Sequence, residues 1–307
     1  MKKDLISIKD LSAKEIEEVF ALAQQIKKTK NKFASALKGK SVGLVFQKPS
    51  NRTRVSFEVG VWELGGNCIY LGPDEINLGQ RETIEDVAKT LSRYLSAIVA
   101  RTFSHQMVLD LARYATIPVI NGLSDLEHPC QALSDLFTIK EKLKKLAGVK
   151  MAYVGDGNNV CNSLIYASSI TGGNIKVATP KNYEPKKEII STAEYLAKAY
   201  KASIELTNNP LEAVKGAEVI YTDVWTSMGQ ESEAEKRRRD FAGFNINEPL
   251  VAKAEKNYLF MHCLPAHRGE EVTDSIIDGE HSIVFDQAEN RLHVQKAILV
   301  LLLRGIK

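Results

Sequence analysis

The stretch Ser50–Arg54 reads Ser-Asn-Arg-Thr-Arg and so gathers two arginines and two hydroxyl groups within five residues. It follows an apolar strand pattern at 41–46 and precedes a helical pattern. At a helix start the first N–H groups lack intrahelical partners and the helix dipole is positive, so an anion is favoured. Arginine forks and hydroxyl groups suit phosphate oxygens. Two arginines this close are often only a solvated surface pair, but this context favours a phosphate site.

A histidine and a glutamine flank Pro129 and Cys130 where another helical pattern opens. Proline fits the first helical turn because the N–H that it lacks would have no partner there. His128 at this place is a helix cap, a surface residue or a donor to a carbonyl oxygen, and Gln131 offers an amide close by. Cys130 is interpreted as a small packing residue.

The run from Gly155 to Val160 resembles a dinucleotide-binding fingerprint at first sight, because it contains a Gly-x-Gly element after a strand pattern. The third glycine position of that fingerprint is Val160, and no carboxylate follows at 176–179, where a ribose partner is expected. We therefore interpret the glycines as the residues of a tight turn. Asn158 and Asn159 either donate to a ligand carboxylate or cap the next helix, and the sequence leaves both open.

Two further polar groups lie late in the chain. Asp223 and Ser227 stand near a glycine-permitted turn and could hold an ammonium group, although a capping aspartate in a loop fits as well. Cys263 follows His262, which suggests a nucleophile hypothesis. Neighbouring residues on a strand point to opposite faces, so His262 need not activate Cys263. A buried, inert cysteine is the alternative.

Alternating patterns predict the secondary structure. Predicted strands lie at 41–46, 67–71, 96–100, 117–120, 150–154, 174–178, 203–206, 218–222, 258–261 and 282–285. Predicted helices lie at 13–28, 52–64, 83–95, 105–114, 128–146, 158–171, 186–200, 231–242 and 287–304. This alternation indicates an α/β protein of two domains, each a mainly parallel sheet with helices on both faces.

Gly148 interrupts the pattern after a charged helix end, so we place a boundary there, between a domain at 1–147 and a domain at 148–286. The last helix, within 287–307, contains the unbroken apolar run 298–303. A helix that is apolar nearly all round must be buried, and we expect it to pack back on the first domain. The charged segment 231–240 is interpreted as an exposed helix.

The polar landmarks fall at the carboxyl ends of predicted strands, where ligands bind in folds of this class. They are Ser50, Arg101, His128, Asn158 with Asn159, Asp223 and Cys263. Packing alone is a poor explanation for polar residues at six strand ends.

The totals exclude several classes of protein. The chain has 307 residues and a net charge of +3, which is too balanced to indicate nucleic acid or an anionic membrane as partner. No apolar run approaches the ~20 residues of a membrane span, and the N-terminus lacks a signal-peptide core. The four cysteines are scattered without a metal-binding or disulfide spacing. The expected location is the cytoplasm.

Taken in order, these stretches resemble the aspartate/ornithine carbamoyltransferase family, and the match to its ornithine-using members is close over essentially the whole chain. The motifs that carry the resemblance are Ser50–Arg54, His128–Gln131, Asp223 with Ser227-Met228-Gly229, His262–Pro265 and Ala288–Arg291. Any one of them could arise by chance, but their order and spacing together are specific.

The resemblance implies that the first domain binds carbamoyl phosphate and the second binds ornithine. The carbamoyl phosphate-binding residues that it implies are Ser50, Asn51, Arg52, Thr53, Arg54, Asn77, Arg101, His128, Gln131, Cys263, Leu264 and Arg291. The implied ornithine-binding residues are Asn159, Asp223, Ser227 and Met228. The implied catalytic residues are Cys263, Arg101, His128, Thr53 and Asp223.

The chain departs from the family pattern at two places. Asn51 stands where threonine is common, and asparagine can still donate a hydrogen bond. A glutamine in the loop before the third strand often reaches the ligand in the family. Here Asn77 takes the matching position and Gln80 lies nearby, and the resemblance does not decide whether either replaces it.

The implied reaction is attack of a neutral amine on carbamoyl phosphate, and it needs no metal or organic cofactor. Cys263 with Asp223 could take the amine proton or only orient the amine, and the leaving phosphate is an equal alternative acceptor. The competing hypotheses are a family member that uses another acceptor and a non-catalytic sensor. The anionic Asp223 disfavours aspartate as the acceptor, and the intact arginines disfavour a sensor. The family works as trimers or multiples of trimers with active sites between subunits.

Overall fold

The computed structural model describes residues 3–227 and 229–303. The chain divides into two compact units. The first comprises the described residues within 1–137 and 289–307, and the second comprises those within 138–288. The division falls after Phe137, whereas the sequence predicted a boundary near Gly148. The predicted domain limits therefore stay a prediction.

The first unit is built on a sheet of four parallel strands in the order β2-β1-β3-β4. The strands are β1 Ser41–Phe46, β2 Asn67–Leu71, β3 Ala97–Arg101 and β4 Val119–Leu123. The central strands β1 and β3 are buried almost throughout. Their sequences are therefore nearly continuous apolar runs and do not alternate between apolar and polar residues. An N-terminal segment adds a parallel bridge between Leu5 and Ile120 beside β4.

Helices surround this sheet. They are α1 Ala13–Lys28, α2 Asn51–Glu63, α3 Pro73–Ile76, α4 Ile84–Tyr94, α5 His105–Tyr114 and α6 Pro129–Leu143, with 3-10 turns at Ile8–Asp10 and Lys30–Phe33. Helix α1 begins with a capping box between Ser12 and Glu15, which satisfies two N–H groups at once. Helix α6 crosses the division between the two units.

The second unit is built on five parallel strands in the order β7-β6-β5-β8-β9. The strands are β5 Lys150–Val154, β6 Asn174–Ala178, β7 Ser203–Thr207, β8 Val219–Thr222 and β9 Leu259–His262. The helices are α7 Asn159–Thr171, α8 Lys187–Tyr200, α9 Pro210–Val214, α10 Ala234–Asp240, α11 Glu248–Val251 and α12 Asp274–Ile277, with a 3-10 turn at Glu231–Glu233. Ile220 and Phe260 on the sheet pack in one buried cluster with Trp225 and Phe241.

The last helix, α13 Val284–Leu303, begins in the second unit, and its residues from Glu289 belong to the first. Within the first unit Arg291 and Lys296 donate to Thr53 and Glu63 of α2. Among the described residues, no helix combines the length and the apolarity that crossing a membrane requires.

The α/β class with two parallel sheets is confirmed. The predicted strand at 282–285 is wrong: Ser282 makes only an isolated bridge to Phe260, and Val284 already begins α13. A short apolar run has no period that separates a buried strand from the first turn of a buried helix. The sequence also missed the helices α3, α9, α11 and α12, whose length of four or five residues is too short for a helical pattern.

Candidate active site

In the first unit, the Ser50–Arg54 stretch opens α2, directly after β1. Ser50 caps the helix because its hydroxyl accepts a hydrogen bond from the backbone N–H of Thr53 at 3.3 Å. Thr53 is buried, and its Oγ1 accepts a hydrogen bond from Nη2 of Arg291 at 2.8 Å. The strand-end, helix-start placement predicted for this stretch is therefore confirmed, and α13 supplies an arginine to it.

The charges of three arginines of the first unit act on His128. Burial lowers the pKa of the His128 imidazole well below its usual range, and the charges of Arg291, Arg101 and Arg52 lower it further. Arg101 is itself buried at the end of β3, level with Phe46 of the neighbouring strand β1. A neutral imidazole among cationic groups can donate a hydrogen bond to a carbonyl oxygen, while the arginines attract an anion.

Gln131 lies close to His128, in the first turn of α6, and is buried. Its Nε2 donates to Oδ1 of Asp135 at 2.8 Å, which orients the amide. Its Oε1 is buried and accepts no hydrogen bond within the described part of the chain. A buried carbonyl oxygen of this kind needs a donor, and an N–H group of a ligand can supply one.

Other residues predicted for the phosphate site lie on the surface. Arg54 is exposed, pairs with Glu58 at 2.9 Å and stacks over the ring of Tyr70 at 3.7 Å. Asn51 is exposed at the first position of α2. Asn77 ends α3 in the left-handed conformation, and its Nδ2 donates to the Asp74 carbonyl at 3.3 Å. Gln80 is also exposed.

In the second unit, Asp223 lies immediately after β8 and holds three hydrogen bonds. Its Oδ2 accepts from Nδ2 of Asn158 at 2.7 Å. Its Oδ1 accepts from the backbone N–H of Val224 at 2.8 Å and from the thiol of Cys263 at 2.9 Å. The carboxylate is thus held in one orientation, with the sulfur of Cys263 beside it.

Asn158 both caps α7 and orients Asp223. Its Oδ1 accepts from the N–H groups of Val160 and Cys161, which leaves the amide nitrogen for Asp223. The sequence put Asn159 in the ligand set and omitted Asn158; Asn159 is the first residue of α7 and is partly exposed. Two features of the sequence pointed to Asn158: it stands at the start of a predicted helix, and Asp223 stands at the end of a predicted strand.

The glycines of the same turn have a packing explanation. A Cβ atom on Gly157 would lie 2.4 Å from the backbone nitrogen of Pro185, so the chain can pass there only without a side chain. Gly155 has φ of +149°, which an L side chain rarely adopts. The tight turn therefore explains why both positions are glycine, and no dinucleotide-binding role is needed to explain them.

His262 organises the loop that follows Cys263, and both of its ring nitrogens have partners other than the Cys263 thiol. Its Nδ1 accepts from the backbone N–H of Leu264 at 2.8 Å, so Nε2 carries the proton that points to Oε1 of Glu271 at 3.1 Å. Both side chains are fully buried. Leu264 has φ of +57° and precedes a cis peptide bond to Pro265. His262 thus holds the backbone at Leu264, while the thiol of Cys263 pairs with Asp223.

The loop after Asp223 contains the remaining predicted ornithine residues. Ser227 is half-buried, and its N–H donates to Oε1 of Gln230 at 3.2 Å. Met228 lies outside the described residues. The segment 231–240 is mostly exposed as predicted, with the exception of Arg237, which is buried. The sequence analysis did not single out Arg237, because Arg238 and Arg239 follow it and the whole segment has the charged composition of an exposed helix.

Comparison with known proteins gives a consistent answer over the whole chain. The family described as "Aspartate/ornithine carbamoyltransferase, carbamoyl-P binding domain" matches residues 3–141. The one described as "Aspartate/ornithine carbamoyltransferase, Asp/Orn binding domain" matches residues 147–302. The ornithine carbamoyltransferase of Thermococcus kodakarensis is 53% identical over 308 residues, covering 99% of this chain and 98% of that protein.

Two solved structures agree with these matches. The ornithine carbamoyltransferase from Pyrococcus furiosus has a TM-score of 0.96 and 53% identity, and covers 99% of this chain and 98% of its own. The ornithine carbamoyltransferase from Thermus thermophilus has a TM-score of 0.89 and 46% identity, and covers 99% of both chains.

Proposed function

Because the chain belongs to the aspartate/ornithine carbamoyltransferase family, we propose that it transfers the carbamoyl group of carbamoyl phosphate to the δ-amine of L-ornithine. The products are L-citrulline and phosphate. The observation that carries the choice of acceptor is the carboxylate of Asp223, held between Asn158 and Cys263. An anion in the acceptor site suits the ammonium group of ornithine and opposes the second carboxylate of aspartate.

Carbamoyl phosphate binds to the first unit through its phosphate. The helix start at Ser50 and the arginines Arg52 and Arg101 meet the phosphate oxygens, with Asn51 and Arg54 at the rim. His128 and Gln131 hold the carbamoyl group: the neutral imidazole donates to the carbonyl oxygen, and Oε1 of Gln131 accepts from the carbamoyl NH₂. The support is the depressed pKa of His128 and the unmatched buried oxygen of Gln131.

The carbonyl oxygen gains negative charge as the amine attacks, and preformed donors stabilise that charge. Thr53, Arg101 and His128 supply these donors, and Arg291 orients the Thr53 hydroxyl. One such donor contributes about 3–4 kcal/mol to the stability of the transition state. Preformed donors of this kind remove the need for a metal to polarise the carbonyl.

Ornithine binds to the second unit through its α-amino and α-carboxylate groups. Asp223 and Ser227 receive the α-ammonium, and Asn159 with the backbone near Met228 receives the α-carboxylate. Fixing that end makes the length of the side chain decide whether the terminal amine reaches the carbonyl carbon. Cys263 and Leu264 complete the site on the amine side.

The transfer is a direct displacement. The amine nitrogen forms a bond to the carbonyl carbon, and the bond from that carbon to the bridging phosphate oxygen breaks with its electron pair on the oxygen. The amine must be neutral to attack, and a free alkylammonium group has a pKa of ~10.4. The Cys263 thiol keeps its proton in a hydrogen bond to Asp223, and the amine proton goes to the departing phosphate.

The protein works as a homo-oligomer, a trimer or a multiple of trimers. The outer face of α2 supports this, because Val55, Val59 and Trp62 recur at helical spacing and are 53%, 38% and 76% exposed. Light scattering measures the assembly directly, and Trp62→Glu should shift it towards monomer. The cytoplasm is the proposed location, and the absence of a disulfide among the four cysteines, all of which the structure describes, is in keeping with a reducing compartment.

One assay tests the proposed function. Purified protein is incubated with carbamoyl phosphate and L-ornithine, L-lysine, putrescine or L-aspartate, and the carbamoylated product and phosphate are both measured. We expect equal amounts of citrulline and phosphate, and a kcat/KM for ornithine far above the other three. Asp223→Asn should lower the value for ornithine. Equal use of putrescine or aspartate, or an unaffected Asp223→Asn variant, would contradict the assignment.

A further inference from the structure

Arg237 is the one buried residue in the charged segment 231–240 of the second unit. Its side chain is 4% exposed, whereas its neighbours Arg238 and Arg239 are exposed. Burying a guanidinium group without partners is costly, so its contacts identify what it holds in place.

Arg237 connects two separate loops by hydrogen bonds. Its Nη2 donates to Oδ2 of Asp156, and its Nε donates to the backbone carbonyl of Trp225. Glu233 adds a weaker contact to Nη1 at 3.6 Å. A planar guanidinium can donate to the Asp156 carboxylate and to the Trp225 carbonyl at the same time. An ammonium group has no such fork of fixed donors and cannot make both hydrogen bonds in the same geometry.

Aromatic rings enclose the same guanidinium. It lies 4.9 Å from the ring centre of Tyr183 and 5.4 Å from that of Phe241. Phe241 in turn stacks on Trp225 at 5.6 Å between ring centres. This enclosure fixes the guanidinium in place and lowers its exposure to water.

Both loops held by Arg237 carry residues of the proposed ornithine site. Asp156 lies in the turn that presents Asn158 and Asn159 at the start of α7. Trp225 lies midway between Asp223 and Ser227. A shift of the Trp225 carbonyl relative to the Asp156 turn would move Asp223 and Ser227 relative to Asn158 and Asn159.

We propose that Arg237, paired with Asp156, is a positioning residue that sets the spacing between the two loops that bind ornithine. This inference rests on the proposed function, since it assigns ornithine to these loops. Arg237 does not touch the substrate. Its effect is therefore on the binding of the amino acid, while carbamoyl phosphate, bound through residues of the first unit, is left unaffected.

The kinetic test uses Arg237→Met, Arg237→Lys and Asp156→Asn, with the exposed Arg239→Met as the matched control. We expect the KM for ornithine to rise about tenfold or more in all three, because a displacement of ~1 Å can cost ~100-fold. The KM for carbamoyl phosphate and the values of Arg239→Met should stay near wild type. An equal rise in both KM values, or unchanged kinetics in a folded Arg237→Lys, would overturn the proposal.

A second readout does not depend on activity. The chain has two tryptophans, so Trp62→Phe leaves Trp225 as the single tryptophan, which can be excited selectively over the tyrosines. Trp225 is 6% exposed, and acrylamide should quench it poorly. Adding Arg237→Lys should raise the quenching severalfold, whereas Arg239→Met should not. If the quenching stays low, Arg237 does not hold this loop. A wild type that makes no citrulline would instead refute the proposed function and leave this readout intact.

Discussion

The thiol of Cys263 donates a hydrogen bond to Oδ1 of Asp223, with 2.9 Å between sulfur and oxygen. The two residues follow the ends of the adjacent strands β9 and β8. A carboxylate beside the sulfur opposes a second negative charge there, and a cysteine is nucleophilic only as the thiolate. The thiol of Cys263 is therefore protonated in this pair. Its role is to orient neighbouring groups, and it does not accept the carbamoyl group.

This relationship predicts that Cys263 forms no covalent intermediate. Enzyme mixed with carbamoyl phosphate alone and quenched in acid should show an unmodified Cys263 peptide by mass spectrometry. Cys263→Ser keeps a hydroxyl donor for Asp223 and should retain measurable turnover, whereas a covalent mechanism would lose it. A carbamoyl thioester that forms and decays at the rate of turnover would disprove the prediction.

Arg52→Ala should abolish measurable binding of carbamoyl phosphate while the protein stays folded. The loss expected for truncating one partner of a desolvated charge pair is about 2–5 kcal/mol. Titration calorimetry with carbamoyl phosphate measures it, and circular dichroism checks the fold. Arg54→Ala is the comparison, because the exposed Arg54 already pairs with Glu58, and its loss should be smaller. Wild-type affinity in a folded Arg52→Ala would count against the phosphate site.

Thr53→Val should lower kcat about 100-fold with a small effect on the affinity for carbamoyl phosphate. Valine preserves the shape of the buried side chain and removes the hydroxyl that accepts from Arg291. One lost donor to a developing oxyanion costs roughly 100-fold to 1,000-fold in kcat. Steady-state kinetics test this directly. A rise in KM alone would place Thr53 in ground-state binding instead.

His128 should stay neutral throughout the pH range in which the protein is active. Burial and three arginines keep its pKa well below the usual range, so the proton is taken up only at a pH far below 6.5. Activity should rise with pH because the δ-amine loses its proton, and the imidazole should add no second titration near pH 6.5. Ring ¹⁵N shifts of His128 measured between pH 6 and 8 should stay those of a neutral imidazole; a titration in that window would refute this.

Glu127 should make the fold less stable as pH rises. Burial raises the pKa of this carboxyl to about 7, against the opposing hydrogen bonds from Ser7 and Ile8. Because the folded pKa exceeds the unfolded value of 4.5, its contribution to stability is complete below pH 4.5 and is lost as pH rises through about 7. Glu127→Gln should therefore be more stable than wild type at pH 8.5, by about 1–3 kcal/mol, and similar at pH 4.5.

Urea unfolding at the two pH values tests this, since the change in midpoint at constant slope reports the difference in stability. Asp125→Asn, at an exposed carboxyl two positions away in the chain, is the control for the loss of one charge. A variant Glu127→Gln that is destabilised at pH 8.5 would show that the ionised carboxylate is needed to hold the N-terminal segment.

Local sequence determined most of the fold and the identity of most candidate residues. The strands at 41–46, 67–71, 150–154 and 174–178 were predicted with their observed bounds, because apolar runs between clear turn signals are local features. The capping box of α1 and the helix start at Ser50 depend on residues three positions apart. Features that depend on residues this close in the chain can be predicted from the sequence alone.

Tertiary structure decided which of those residues act together. Thr53 and Arg291 are 238 positions apart in the chain, and no local pattern predicts their hydrogen bond. The dual role of Asn158, the pairing of His262 with Glu271 and the burial of Arg237 likewise depend on partners that other parts of the chain supply. Hydrogen-bond direction and desolvation are properties of a three-dimensional neighbourhood, so one sequence names the candidate groups, and only the folded chain sets their orientation and charge.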